Sequence, residues 1–331
     1  MNYHYVIHGD ISVTLDNIGI NALIAKMMCM GGKIGVNIFI IISVWFLIDV
    51  EFDKMLVYKK IKKIYLPVWF YSFGIYIFYV FILKNQFEIQ DFIKAIFPIT
   101  FSINWFATAY LLFVFFVPYL GILNRNITQR QHKDLCIILI IFFVLFPTLL
   151  GKYSISALNH PSNMVWFIAL YFITSYIKKY GLELKNILGI IIIVVVYVFF
   201  FVTIYLIDYH NIKLCYQEVS SSIYFMQINS LPVFLCSYSI FLLFKNKKIN
   251  CRGVNHIASL VFGVYLIHDN PYIRKWIWQE VCQSEVLFNK DLFLLYAFIG
   301  VSFIFIVCCF IEFIRKKIFL VLYKLKKEIT L

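Results

Sequence analysis

Charge is scarce in this chain. Only 14% of its 331 residues are Asp, Glu, Lys or Arg, against roughly 25% in soluble domains. Hydrophobic residues make up 62%, aromatics 20%, and the mean hydropathy is +0.85. That composition excludes one or two soluble domains, which the length alone would allow. Acidic residues are scarcer still, 17 against 30 Lys and Arg, for a net charge of +13. In so apolar a chain the basic excess speaks first of membrane topology, and no nucleic-acid partner is expected. The eight cysteines show no CxxC and no Cys/His ligand spacing. They read as small buried hydrophobes, without a disulfide framework or a zinc site. The opening MNYHYVIHGD lacks a basic segment followed by an apolar core, so it is not read as a signal peptide. Ionisable residues are almost missing from the proposed spans below, which argues against a proton-driven transporter.

What is present is a series of apolar runs organised around residues 31–67. An apolar run at 34–48 is followed by an acidic and basic hinge and then by Lys59, Lys60, Lys62 and Lys63. With flanking residues the run is long enough to cross a bilayer. A lysine cluster between two spans marks the cytoplasmic face. The runs predict spans at about 34–49, 64–83, 104–123, 135–150, 165–177, 187–207, 229–244, 257–273 and 292–313. They are too long and too uniformly apolar for barrel strands, so the fold class is all-α, a polytopic transmembrane helix bundle of about nine complete spans. The segment 9–21 reads as a loop too polar for hydrocarbon. Segments assigned to the inside carry 21 of the 30 Lys and Arg, and those outside carry nine. The alternation never breaks. Nine spans with an inside C-terminus place residue 1 outside, which suggests the remnant of a further, first helix. The chain is read as one domain over 1–331, with a cytoplasmic basic tail at 314–331.

Several motifs then resemble one family. Gly32, Gly35, Val36, Phe39, Ser43, Phe46 and Leu47 are similar to the second-helix signature of the integral-membrane acyltransferase-3 family. The family usually has Gly after the Ser, where this chain has Val44. KKIKKIYLP at 59–67 resembles the family's R-x-x-R-I-x-P element with Lys in place of Arg. Trp105-Phe106 with Tyr110-Leu111 and Pro118 resembles a further helix, and SLVFGVYLIH at 259–268 resembles the late S-x-x-x-Y-L-x-H helix. Tyr3-His4-Tyr5-Val6-Ile7-His8-Gly9 resembles the end of the first helix. An Arg that the family carries about three turns before the essential His would precede Met1, so the expectation is a truncated copy or a chain read from an internal Met. The expectation is the family's stand-alone form, without a hydrolase-like domain after the last span.

The resemblance implies transfer of an acyl group, usually acetyl, from acyl-CoA to sugars of surface polysaccharides. Acetyl-CoA is then the donor and no cofactor is permanently bound. The expected partners are acyl-CoA, a surface glycan or lipid-linked sugar acceptor, and membrane lipid. The expected location is the bacterial cytoplasmic membrane. A sugar hydroxyl is a poor nucleophile, so attack on a thioester needs a base that works near neutral pH, and imidazole supplies one. The resemblance places the essential His at His4, which would take the hydroxyl proton or carry the acyl group for one step. Its alternative is an interfacial histidine with a solvation role. His268, before Asp269, reads either as a second active-site residue or as a solvated helix-end histidine. Lys63, Lys60 and, more weakly, Arg125 and Arg130 are candidates for the coenzyme A phosphates. For most of the lysines the competing reading is a topogenic cluster at lipid headgroups. Trp105 and Tyr265 are candidate substrate contacts. Trp105, Phe106, Trp166 and Phe167 also read as an interfacial aromatic belt. His4 and His8 form an i, i+4 pair, but no third metal ligand lies nearby in sequence, and no metal is expected.

Two other readings stay open on sequence: a polysaccharide polymerase or flippase, and a non-enzymatic or inactive truncated relative. Polymerases usually have a long outer loop with arginines, whereas the outer segments here are short and hold only Arg274.

Overall fold

The computed structural model describes residues 1–11, 13, 19–49, 54–151, 163–214, 224–247 and 250–329. A short first helix, α1 (Asn2–His8), precedes α2 (Ile20–Leu47) and α3 (Lys54–Phe81). A small helix α4 (Ile89–Ile96) leads to α5 (Trp105–Asn126) and α6 (Gln129–Leu150), which contains a π-helical stretch, Ile141–Leu145. Next come α7 (Asn163–Tyr180), α8 (Asn186–Leu214), α9 (Leu231–Phe244) and α10 (Arg252–His268). A π-helical segment, Trp276–Val281, and the short α11 (Ser284–Phe288) precede the terminal α12 (Phe293–Ile329). No strand occurs among the described residues. Every expected span falls on one of the nine longer helices among the described residues. Six of these, α2, α3, α5, α6, α8 and α12, are long and apolar enough to cross a membrane, and α9 is a shorter apolar helix.

Local chemistry sets several boundaries. Thr128 and Gln131 form a capping box that starts α6, with Gln131 N donating to Thr128 Oγ1 at 3.3 Å and Thr128 N to Gln131 Oε1 at 2.9 Å, two donors satisfied reciprocally. Pro232 sits in the first turn of α9, where its missing N–H costs nothing. Pro67 and Pro118 lie inside α3 and α5, which packed membrane helices tolerate.

The central element is α2. Its first half, Ala22 to Ile34, joins a core built with α1, α8, α10 and α12. Its second half, from Ile40 onward, joins a second core with α5, α6, α7 and α9. Large apolar side chains on α8 and α12 face outward, Phe298 at 69% exposure and Ile306 at 66%. Such surfaces suit lipid, because lipid tails are as apolar as the side chains.

Three expectations need correction. The first span does not begin at 34: α2 starts at Ile20, so Lys26 and Lys33 lie within a helix, not in an outer loop. That sharpens the basic asymmetry. Buried charge is also present within the helices, against the expectation of almost none. Lys26 Nζ pairs with Asp208 at 2.6 Å between α2 and α8, both buried. Glu312 and Arg315 form a two-contact pair at 2.7 Å, and Tyr71 donates to Glu312 Oε2 at 2.7 Å. Paired ions can be buried where single ones cannot. Lastly, Trp166 and Phe167 are not belt residues. Both are fully buried, and Trp166 Nε1 donates to Asn37 Oδ1 at 2.9 Å. The polar segment 9–21 lies partly outside the described residues. All seven described cysteines are free thiols.

Candidate active site

The site begins with the packing of α1 on α2. Tyr5 is fully buried against Trp278 and Phe293, with ring centroids 5.9 and 6.2 Å away. Tyr3 lies directly on Gly32, where a Cβ would stand 2.6 Å from the Tyr3 Cβ. Only glycine permits that approach. With Tyr3 and Tyr5 anchored, His4 and His8 fall one turn apart on the remaining face. Gly9 closes the helix, and a Cβ there would lie 2.5 Å from the Ser284 Cβ.

From the other side α10 delivers His268 at its last turn and Asp269 just beyond. His4 Nδ1 and His268 Nε2 are 2.9 Å apart. His268 Nδ1 lies 2.6 Å from the carbonyl oxygen of Val264. A carbonyl only accepts, so His268 carries its proton on Nδ1 and offers a lone pair at Nε2. His4 therefore donates from Nδ1, which leaves its Nε2 lone pair free. The chain Val264, His268, His4 thus selects one tautomer of His4, and that tautomer is a base at Nε2. Asp269 Oδ1 stands 3.6 Å from His4 Nδ1, 3.3 Å from His8 Nε2 and 3.9 Å from Arg274. Asp269 is buried, with the imidazoles of His4, His8 and His268 gathered around it. It is a fixed negative charge able to stabilise an imidazolium at His4.

The imidazole pair lies on the wall of an open cavity of about 740 Å³ lined by α1, α2, α5, α10 and α12. Gly31, Gly32 and Gly35 form its α2 side. A Cβ on Gly31 or Gly35 would meet nothing within 4 Å. The remaining wall is mostly apolar, with Phe39, Phe106 and Phe305. Trp105 and Tyr265 line it too, so the two candidate substrate contacts are gathered beside the histidines. A smaller space of about 180 Å³ shares His4, Gly32 and Trp105 with it and continues past His8, Asp269 and Arg274. Lys33 borders this space, 5.1 Å from the Tyr3 ring and 5.6 Å from that of Trp105.

Lys60, Lys63 and Arg125 are not part of this constellation. Lys60 is half-buried, Lys63 and Arg125 are exposed, and all three occupy the opposite end of the bundle. Lys63 is close enough to Lys316 to interact electrostatically, and Lys316 donates to the carbonyl of Ser259 at 2.5 Å. Ser259 precedes His268 by nine residues on α10, about 14 Å along the axis.

Sequence reasoning did not find Lys33, Tyr3 or the reach of Asp269 to two histidines at once. A lysine within an apolar glycine-marked run was the available sign of the first. Asp269 also supplies what the His4/His8 spacing lacked, since donor atoms of His4, His8 and Asp269 lie within 4.8 Å of one another. A metal held there through His4 Nδ1 would have to displace the contact with His268.

Fold and site together define a multi-pass helical membrane protein with a part-buried, carboxylate-backed imidazole pair at an apolar cavity. The acyltransferase-3 family model, described as an acyltransferase domain, matches residues 1–313. The chain belongs to that family and is a membrane acyltransferase. No curated protein and no solved structure matches it. Family membership sets aside the polymerase or flippase reading.

Proposed function

We propose that the protein moves an acyl group, acetyl in the simplest case, from acyl-CoA to a sugar hydroxyl of a surface polysaccharide or its lipid-linked precursor. It does so in the bacterial cytoplasmic membrane. The observation that carries this reading is the His4–His268 contact at 2.9 Å on the wall of the glycine-lined cavity. Coenzyme A phosphates rest at the end bearing Lys60, Lys63 and Arg125, while the thin pantetheine arm runs inward toward Gly35. The thioester reaches His4 without the nucleotide crossing the membrane. The acceptor enters from the side of Arg274 and Asp269.

In the transfer step the sugar oxygen attacks the thioester carbonyl carbon while His4 Nε2 takes the hydroxyl proton. The tetrahedral adduct collapses, the C–S bond breaks, and the imidazolium returns the proton to the departing thiolate. The products are the sugar ester and free coenzyme A. Asp269 stabilises the transient imidazolium, and His268 keeps the His4 ring in the basic tautomer. Trp105 and Tyr265 shape the space in which the two substrates meet.

The test is His4→Ala. Loss of a general base costs about 10²–10⁴-fold in rate, so the variant should accumulate in membranes at the wild-type level and leave the glycan unacylated. Full acylation by His4→Ala would overturn the mechanism.

A further inference from the structure

A second cavity, of about 810 Å³, lies on the far side of the loop that carries Asp269. It differs in kind from the catalytic cavity, because polar groups supply much of its wall. Tyr79 and Asn85 border it from the end of α3 and the loop that follows, and Asp91 and Lys94 from α4. Tyr272, Lys275, Trp276, Gln279 and Glu280 form the opposite wall. All five lie on the turn and the π-helical segment Trp276–Val281 that follows it.

We infer that this groove is an acceptor subsite for a neutral oligosaccharide, holding sugar units beyond the one that is acylated. The inference rests on the acyl-to-sugar reading above and extends it to the length of acceptor recognised. Three observations favour a saccharide. Aromatic rings and hydrogen-bonding groups are interleaved: Trp276 is 38% exposed, and Tyr79 and Tyr272 line the groove with ring centroids 5.7 Å apart. Sugar rings have apolar faces and hydroxyl rims, which such a wall matches. The charges also cancel. Lys94 pairs with Asp91 at 2.7 Å, and Lys275 and Glu280 complete a lining of two cations and two anions. A lining without net sign favours neither a polyanion nor an anionic headgroup. Further, the groove is tied to the catalytic histidines. Gln279 Nε2 donates to the carbonyl of His8 at 3.1 Å, and one short segment holds Asp269 and Arg274 on the catalytic side and Tyr272 and Trp276 on the groove side. The aromatic wall is also held in place, since Tyr272 Oη donates to the Asp91 carbonyl at 3.0 Å. A chain lying in the groove can therefore present one residue to His4.

The experiment uses the full protein in detergent micelles, with acceptor prepared from the producing strain's own surface glycan, de-esterified by mild base and cut to one, two and three repeat units. Transfer from acetyl-CoA is measured at each length, and binding of the same oligosaccharides is measured by equilibrium dialysis. For wild type, KM should fall as the acceptor lengthens. Trp276→Ala should raise KM for the three-unit acceptor about tenfold, leave kcat and the one-unit KM unchanged, and weaken binding of the long acceptor in parallel. Trp69→Ala, at an exposed tryptophan on α3, should change none of these. Transfer with a length dependence that survives in Trp276→Ala would overturn the groove and leave the acyltransferase reading intact. Trp276-dependent binding without any transfer would support the groove and overturn that reading. Absence of both transfer and binding would overturn both.

Discussion

Two histidine sites in this protein differ in how their ring nitrogens are used. His132 on α6 is fully buried between α6 and α7. Its Nε2 sits 2.9 Å from the Phe172 carbonyl, and its ring meets Tyr176 and Tyr180 edge-on, at 5.2 and 5.8 Å. Its Nδ1 is buried without a hydrogen-bond partner among the described residues. The ring fills space in a closed core. His4 and His268 instead form a chain in which Val264 sets one tautomer and that sets the next, ending at a lone pair beside a cavity. A histidine serving as filler leaves a nitrogen idle. His4 instead has its second nitrogen committed to orientation by His268, and the lesson is to ask what the far nitrogen does.

The comparison can be broken most sharply at His268. Replacing it with Ala removes the acceptor for His4 Nδ1–H, so the tautomer is no longer selected. Acyl transfer per protein molecule should fall about 10–100-fold, less than for His4→Ala. His268→Gln, with an amide oxygen to accept the same bond, should recover part of the loss. Equal rates for wild type and His268→Ala would reduce the contact to packing.

At His132 the expected change lies in stability. The Phe172 carbonyl keeps a second donor, Ser175 Oγ at 2.9 Å, so His132→Leu should cost only about 1 kcal/mol. Thermal unfolding in detergent would report a small drop in midpoint, with turnover per folded molecule unchanged. A large loss of turnover would show that the two sites are coupled.

The smallest effect is expected at the lysine end. Lys63 is exposed, and a single exposed charge contributes about 0–1 kcal/mol. Lys63→Ala should therefore raise KM for acyl-CoA about twofold to fivefold, with kcat untouched and the difference fading as salt is raised. An unchanged KM at low salt would reduce the cluster to a topological marker.

Much of the architecture was legible beforehand. Apolar runs gave away the longer helices among the described residues, and the family motifs named His4 and His268 individually as candidates. The errors share a cause. Reading α2 as starting at 34 treated Lys26 and Lys33 as loop residues, because a lone lysine in hydrocarbon is costly. The cost is met by Asp208 at 2.6 Å for Lys26 and by the Tyr3 and Trp105 rings for Lys33, and none of these is a sequence neighbour. Trp166 looked interfacial from its place at a span start, yet Asn37, 129 residues away, accepts its N–H.

The sequence by itself determined the class of this protein. Hydropathy and helical spacing act within a single segment, so each helix carries its own evidence of burial in lipid. Only the tertiary structure decided which faces meet. The sequence separation of 264 between His4 and His268 is closed by the seating of α1 on the bare backbone of Gly32 and by the ending of α10 at Asp269. Tautomer selection, a carboxylate shared by two histidines, and a polar groove beside them arise where separate helices pack, because contact energies depend on three-dimensional neighbours that no local pattern encodes.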